Sequence, residues 1–192
     1  SRVAIGAINN DGNGSNSGHV RIYQYNNNNS WSQLGVDIDG EAADDYSGSS
    51  ISLSSDGSRV AIGAFNNDGN GSDSGHVRIY QYNNNSWSQL GADINGEAAD
   101  DRSGYSVSLS SDGSRVAIGA YRNDGNGSNS GHVRIYDYNT STEAWEKVGA
   151  DIDGEAADDD SGLAVSLSSD GTRVAIGAQN NDGNGNNSGH VR

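Results

Sequence analysis

Four loops in this chain place oxygen-bearing side chains at alternate positions. The first runs Asp11, Asn13, Ser15, Ser17; Asp68, Asn70 and Ser72 repeat it, Asp124, Asn126 and Ser128 repeat it again, and Asp182 opens a fourth. Glycines fall between them. Hard oxygen ligands at alternate positions suit a cation such as Ca²⁺. The same Asp-Gly and Asn-Gly steps also make ordinary tight turns. One aspartate heads each loop, so calcium is the expectation here and a plain turn is the alternative.

A second feature points the same way. The chain carries 26 acidic residues against 11 Lys and Arg, a net charge of −15. The acids cluster in three segments, Asp37 to Asp45, Asp93 to Asp101 and Asp151 to Asp160. Localised acid favours cation binding, with a solvated acidic loop as the alternative. It disfavours duplex nucleic acid and anionic membranes as partners. No apolar run reaches the roughly 18 residues of a membrane span, and no signal peptide is visible. Cysteine is absent, which removes disulfides and thiol chemistry.

Sequons of the Asn-x-Ser/Thr type occur at Asn13, Asn28, Asn70, Asn84, Asn126, Asn139 and Asn186. They are candidate N-glycosylation sites if the chain passes through a glycosylating secretory route. His19, His76, His132 and His190 each precede Val-Arg. A structural hydrogen bond is the expected role; a zinc site would need two repeats to converge. No nucleophile–base order or phosphate loop stands apart from the repeat. An enzyme needs one unique site, whereas this chain offers the same residues in every copy, so catalysis is not expected.

These residues recur because the chain is a repeat. Ser1-Arg2-Val3-Ala4-Ile5-Gly6-Ala7 returns at Ser58, Ser114 and Thr172, giving periods of 57, 56 and 58 residues. All length variation lies between Tyr25 and Trp31 and their equivalents, which marks an exposed loop. In the second copy, residues 59–64, 76–82, 87–94 and 105–110 alternate apolar and polar, with Gly- and Asn-rich turns between them. Period-two runs rich in Val, Ile and Tyr are strands. No window has helical periodicity. Four antiparallel strands in one period describe a propeller blade. Val60, Ile62, Val107 and Leu109 are expected to pack on Ala61, Gly63, Ser106 and Ser108 of a neighbouring blade. Trp31, Trp87 and Trp145 are expected to be buried, equivalent anchors, with carbohydrate stacking as the minority role.

Ser103 to Ser110, followed by Val116 to Ala120 and Asn123 to Gly131, resembles an FG-GAP repeat, the blade unit of integrin-α-type propellers and of many microbial surface proteins. Ser47, Ser103 and Ser161 stand where the motif has Phe. Ile8, Phe65, Tyr121 and Gln179 stand where it has Pro. The resemblance implies calcium in the Asp-Gly loops, although Ala7 and Ser15 occupy two of the acidic positions of the family loop.

The expected architecture is all-β: propeller-type blades at 1–57, 58–113 and 114–171, and a partial unit at 172–192. Closed propellers have four to eight blades, and about 3.4 units are too few to close. The expectation is therefore a piece of a longer propeller or filament, meeting more of its own chain or another copy through its terminal strands. The function this supports is an extracellular or cell-surface structural or adhesive module. A carbohydrate- or protein-binding propeller, with glycans or surface proteins as partners of its loop-edge aromatics, is the alternative.

Overall fold

A computed structural model describes residues 1–192, all of whose regular structure is β. The first sheet holds β1 (Arg2–Ala7), β2 (His19–Tyr25), β3 (Trp31–Gln33) and β4 (Ile38–Asp39). The second holds β5 (Ser50–Leu53), β6 (Arg59–Ala64), β7 (His76–Asn83), β8 (Ser86–Gln89) and β9 (Ile94–Asn95). The third repeats it with β10 (Ser106–Leu109), β11 (Arg115–Ala120), β12 (His132–Asn139), β13 (Ala144–Lys147) and β14 (Ile152–Asp153). The fourth has β15 (Ser161–Leu167), β16 (Val174–Ala178) and β17 (His190–Val191). Every pairing between these strands is antiparallel, in the order β5-β6-β7-β8 with β9 beside β8 on β7. The expected propeller-type blades are present.

Two expectations are corrected in detail. The run 87–94 is not one strand. It breaks between β8 and β9 where Gly91 takes φ of 77°, a left-handed turn that lets the chain drop and rejoin β7 further along. The run 105–110 does not close its own sequence period. Its strand β10 pairs with β11 of the following copy, and the second, third and fourth sheets each take their first strand from the preceding period. Linking a blade to the sequence before it couples consecutive units through hydrogen bonds as well as packing.

The core lies between blades. Val60, Ile62 and Trp87 of the second blade meet Val20, Ile22 and Ile38 of the first. Val107, Leu109, Val116 and Ile118 of the third meet Ala61 and Val77 of the second. Ala61 takes large residues of the next blade, as the alternation implied, but the joint also sets large against large, with Val20, Ile22 and Ile38 or Val77, Ile79 and Ile94 on the receiving side. At Gly63 the approach is so close that a Cβ would strike the carbonyl of Gly104. The serines of the first strands also work across the joint. Ser50 and Ser52 accept hydrogen bonds through Oγ from the N–H groups of Val107 and Leu109, both at 2.9 Å.

The anchor tryptophans are not equivalent. Trp87 is 8% exposed and donates from Nε1 to the carbonyl of Leu34 in the blade before it, at 2.7 Å. Trp145 does the same to Leu90 at 2.8 Å. Trp31, expected to be buried, is 50% exposed, because no blade lies against that face.

Candidate functional site

The Asp-Gly loops close on themselves. Asp11 Oδ1 accepts the N–H of Asn16 at 2.8 Å, and Asp68, Asp124 and Asp182 accept those of Asp73, Asn129 and Asn187. Asn13 spends its side-chain amide bridging the carbonyls of Gly40 and Glu41, at 2.9 and 3.1 Å. Asn70 and Asn126 hold Gly96 and Glu97, and Gly154 and Glu155, in the same way. Ser15, Ser72 and Ser128 are exposed. The aspartate heading each loop is engaged in closing its turn, and the second loop's extra carboxylate, Asp73, pairs with Arg102 at 3.2 Å; such loops do not fit a calcium ion that asks for six to eight oxygens. These residues pin the loop to the acidic segment of their own blade.

The sequons divide by the same geometry. Asn28 and Asn84 sit exposed at hairpin tips between the outer strands. Asn139 is half-buried and donates to Glu146 at 2.9 Å. Asn186 is exposed.

Part of the acidic segment turns out to be structural. Asp45, Asp101 and Asp159 are each 3% exposed. Asp45 Oδ2 accepts the N–H of Ala42 at 3.0 Å and the side-chain amide of Asn67, in the next blade, at 3.1 Å. Asp101 with Asn123, and Asp159 with Asn181, repeat the pair. The sequence places these residues in the acidic clusters without showing their role; the Asn immediately before each loop aspartate, Asn67, Asn123 and Asn181, was the available signal.

The strongest convergence of chemistry-bearing groups lies at the joints. His76 starts β7 and faces Glu41 from the preceding blade and Asp93 from its own. Glu97, His132 and Asp151 form the equivalent group at the next joint. His19 gathers with Asp37 and Asp39. Burial, followed by the positive charge of Arg78, pushes the His76 imidazole down to about 4, so it is neutral at pH 7. His132 is lowered for the same reasons, burial first and Arg134 second. Asp37 is held at about 2, chiefly by its hydrogen bonds from Arg21. The arginines join blades too. Arg78 donates from Nη2 to the Asp39 carbonyl at 2.8 Å and pairs through Nη1 with Glu41 at 3.3 Å.

Aromatic side chains form a second grouping. Tyr46, Phe65, Tyr105 and Tyr121 run in a row across three blades, with successive ring centroids 5.7, 5.5 and 4.5 Å apart. Arg102 lies over Phe65 and Arg122 over Tyr121.

A family model described as the FG-GAP repeat matches residues 95–136, from β9 into β12. Residues 95–136 are therefore similar to the FG-GAP repeat, in agreement with the resemblance. No curated protein matches it. Among solved structures, a protein of Bacteroides uniformis ATCC 8492 described as a candidate 6-phosphogluconolactonase is similar over 85% of this chain, at 14% identity and a TM-score of 0.56. The RRP9 WD40 repeats match over 90% at 15% identity and a TM-score of 0.48. U3-55K matches over 90% at 14% identity and 0.46. This chain spans 42%, 47% and 48% of those chains, under half in each case. At such identities the likeness concerns the fold alone.

Proposed function

We propose that this chain is a non-catalytic structural and adhesive repeat module of the extracellular or cell-surface kind, working by joining blade to blade. One comparison carries the reading. Val3, Ile5 and Trp31 are 37%, 51% and 50% exposed, whereas their equivalents Val60, Ile62 and Trp87 are 0%, 1% and 8% exposed. The residues are the same; only the neighbouring blade differs. An apolar face repeated in every copy and buried wherever a blade precedes it has another blade of the same repeat as its natural partner. That blade comes from more of the same polypeptide or from a second copy. Glycans on the exposed tips at Asn28 and Asn84 belong to the same proposal, as outward decoration that leaves the joints free.

Sedimentation of the 192-residue chain over a concentration series tests this. The expected result is association that Trp31→Lys abolishes. A monomer of 19.9 kDa at all concentrations, with Trp31 freely quenched, would overturn self-association.

A second reading has its own observation. The row of Tyr46, Phe65, Tyr105 and Tyr121 is a stacking platform of the sort that carbohydrate rings use. Tyr105 is its most open member, 37% exposed. Glycan-array binding lost in Tyr105→Ala would favour it over the purely structural role.

A further inference from the structure

We propose that each complete joint between blades binds one divalent transition-metal ion of the zinc class, held by Glu41, His76 and Asp93 at one joint and by Glu97, His132 and Asp151 at the next. The ion would staple a carboxylate of one blade to an imidazole and a carboxylate of the following one.

The first ground is a polar atom without a partner. The His76 side chain is 1% exposed, and its Nδ1 makes no hydrogen bond. Buried polar atoms are seldom left in that state. This one points between two carboxylate oxygens, Glu41 Oε2 and Asp93 Oδ2, each 3.8 Å away. That is too long for a hydrogen bond. It is close to the spacing of ligand atoms that share an ion at roughly 2.0–2.2 Å.

The second ground is how the carboxylates are held. Each has one oxygen fixed by a donor and the other turned toward His76. Glu41 Oε1 is paired with Arg78, and Asp93 Oδ1 accepts from Gln89 Nε2 at 2.6 Å. Outer donors that orient ligand carboxylates are a regular part of metal sites.

The third ground is repetition across the joint. His132 is 1% exposed, with Nδ1 4.0 Å from Glu97 Oε2, while Arg134 holds Glu97 Oε1 at 3.3 Å; here the unpartnered buried atom is Nε2, and Lys147 holds Asp151 Oδ1 at 2.5 Å. His190 has Glu155 at 3.6 Å but no aspartate. His19 gathers Asp37 at 3.6 Å and Asp39 at 3.9 Å, both from its own blade, and its Asp37 is engaged on both oxygens by Arg21.

The donor set chooses the ion. A neutral imidazole with two carboxylates suits zinc and its first-row neighbours, whereas calcium and magnesium prefer oxygen alone. Two ligand charges, with Asp45 also acting on His76, outweigh the single Arg78. Three protein ligands leave a fourth position for water. The inference does not depend on self-association, because it concerns joints within one chain and is read as stoichiometry rather than size.

The test is calorimetric titration of the chelator-treated chain with Zn²⁺, repeated with Co²⁺ to read visible absorption. Two equivalents per chain are expected, with a raised melting midpoint and no displacement by Ca²⁺. His76→Gln should leave one equivalent, and H76Q with H132Q none. Should the buried histidine variants fail to fold, Glu41→Gln and Asp93→Asn serve instead, since each removes a half-exposed carboxylate and should leave one equivalent. Gln89→Ala should weaken one site about tenfold. Binding weaker than about 1 mM, equal binding of Ca²⁺, or two equivalents persisting in E41Q and D93N would each overturn the proposal.

Discussion

Replacing Trp87 with alanine should cost far more than replacing Trp31, although the two sit at the same position of the repeat. Both stack on a tyrosine of their own hairpin, Tyr82 or Tyr25, with centroids 5.1 Å apart. Only Trp87 also reaches a preceding blade, through Leu34 and against Gly35, where a Cβ would lie 2.7 Å from its Cδ1. A buried tryptophan removes roughly 200 Å² from water, worth about 5 kcal/mol as an upper bound at about 25 cal/mol/Å². Losses on truncation to alanine are typically about 3–5 kcal/mol. The half-exposed Trp31, with about 100 Å² removed from water, should lose about 2.5 kcal/mol on the same scale. The difference, about 2–3 kcal/mol, is the share that belongs to the joint. Urea denaturation at low protein concentration, followed by circular dichroism, measures it. Losses for W87A and W31A within about 0.5 kcal/mol of each other, the usual scatter between independent sites, would refute the reasoning.

Other outcomes follow from the same geometry. In metal-free protein, His76 titrates near 4 in the fold against 6.5 unfolded. The unfolded chain therefore binds the extra proton between those values. Stability should be complete above about pH 7 and fall by about 3 kcal/mol toward pH 4, and H76Q should flatten the slope. Gly63→Ala should destabilise by about 1–3 kcal/mol or more through collision with the Gly104 carbonyl. Gly177→Ala, whose Cβ would find nothing nearer than Ala164 at 3.6 Å, should be tolerated; thermal melts of both variants decide. Expressed through a glycosylating secretory route, the chain should carry glycans at Asn28 and Asn84 but not at Asn13, Asn70 or Asn126, whose amides are engaged. Peptide mass mapping reads the occupancy.

Strand positions were legible because period-two alternation in Val60, Ile62, Val107 and Leu109 has a single structural meaning when turns bracket it. The phase of the blades was not. The local signal is the Ser111-Asp112-Gly113 turn, which makes β10 and β11 a hairpin, but counting periods from Ser58 and Ser114 cuts through it. The functional residues were legible only in kind. His76 could be seen to lack a partner nearby in sequence, but Glu41 lies 35 positions earlier in the chain, and only stacking brings it to Nδ1. In the Asp-Gly loops the fold adds what spacing alone does not show. Their oxygens sit at alternate positions, yet backbone N–H groups five residues on reach the carboxylate first. The unequal fates of Trp31 and Trp87 lie outside sequence reading altogether, since they depend on which blade stands next door.

The central claim is that the face bearing Val3, Ile5 and Trp31 is a joint awaiting another blade of the same repeat. The direct measurement is to fuse a copy of residues 58–113 ahead of Ser1 and follow acrylamide quenching of Trp31, with the other tryptophans replaced by phenylalanine. Trp31 should become as shielded as Trp87 is in the parent chain, with a higher denaturation midpoint. A Trp31 that stays as quenchable in the fusion as in the parent would contradict it.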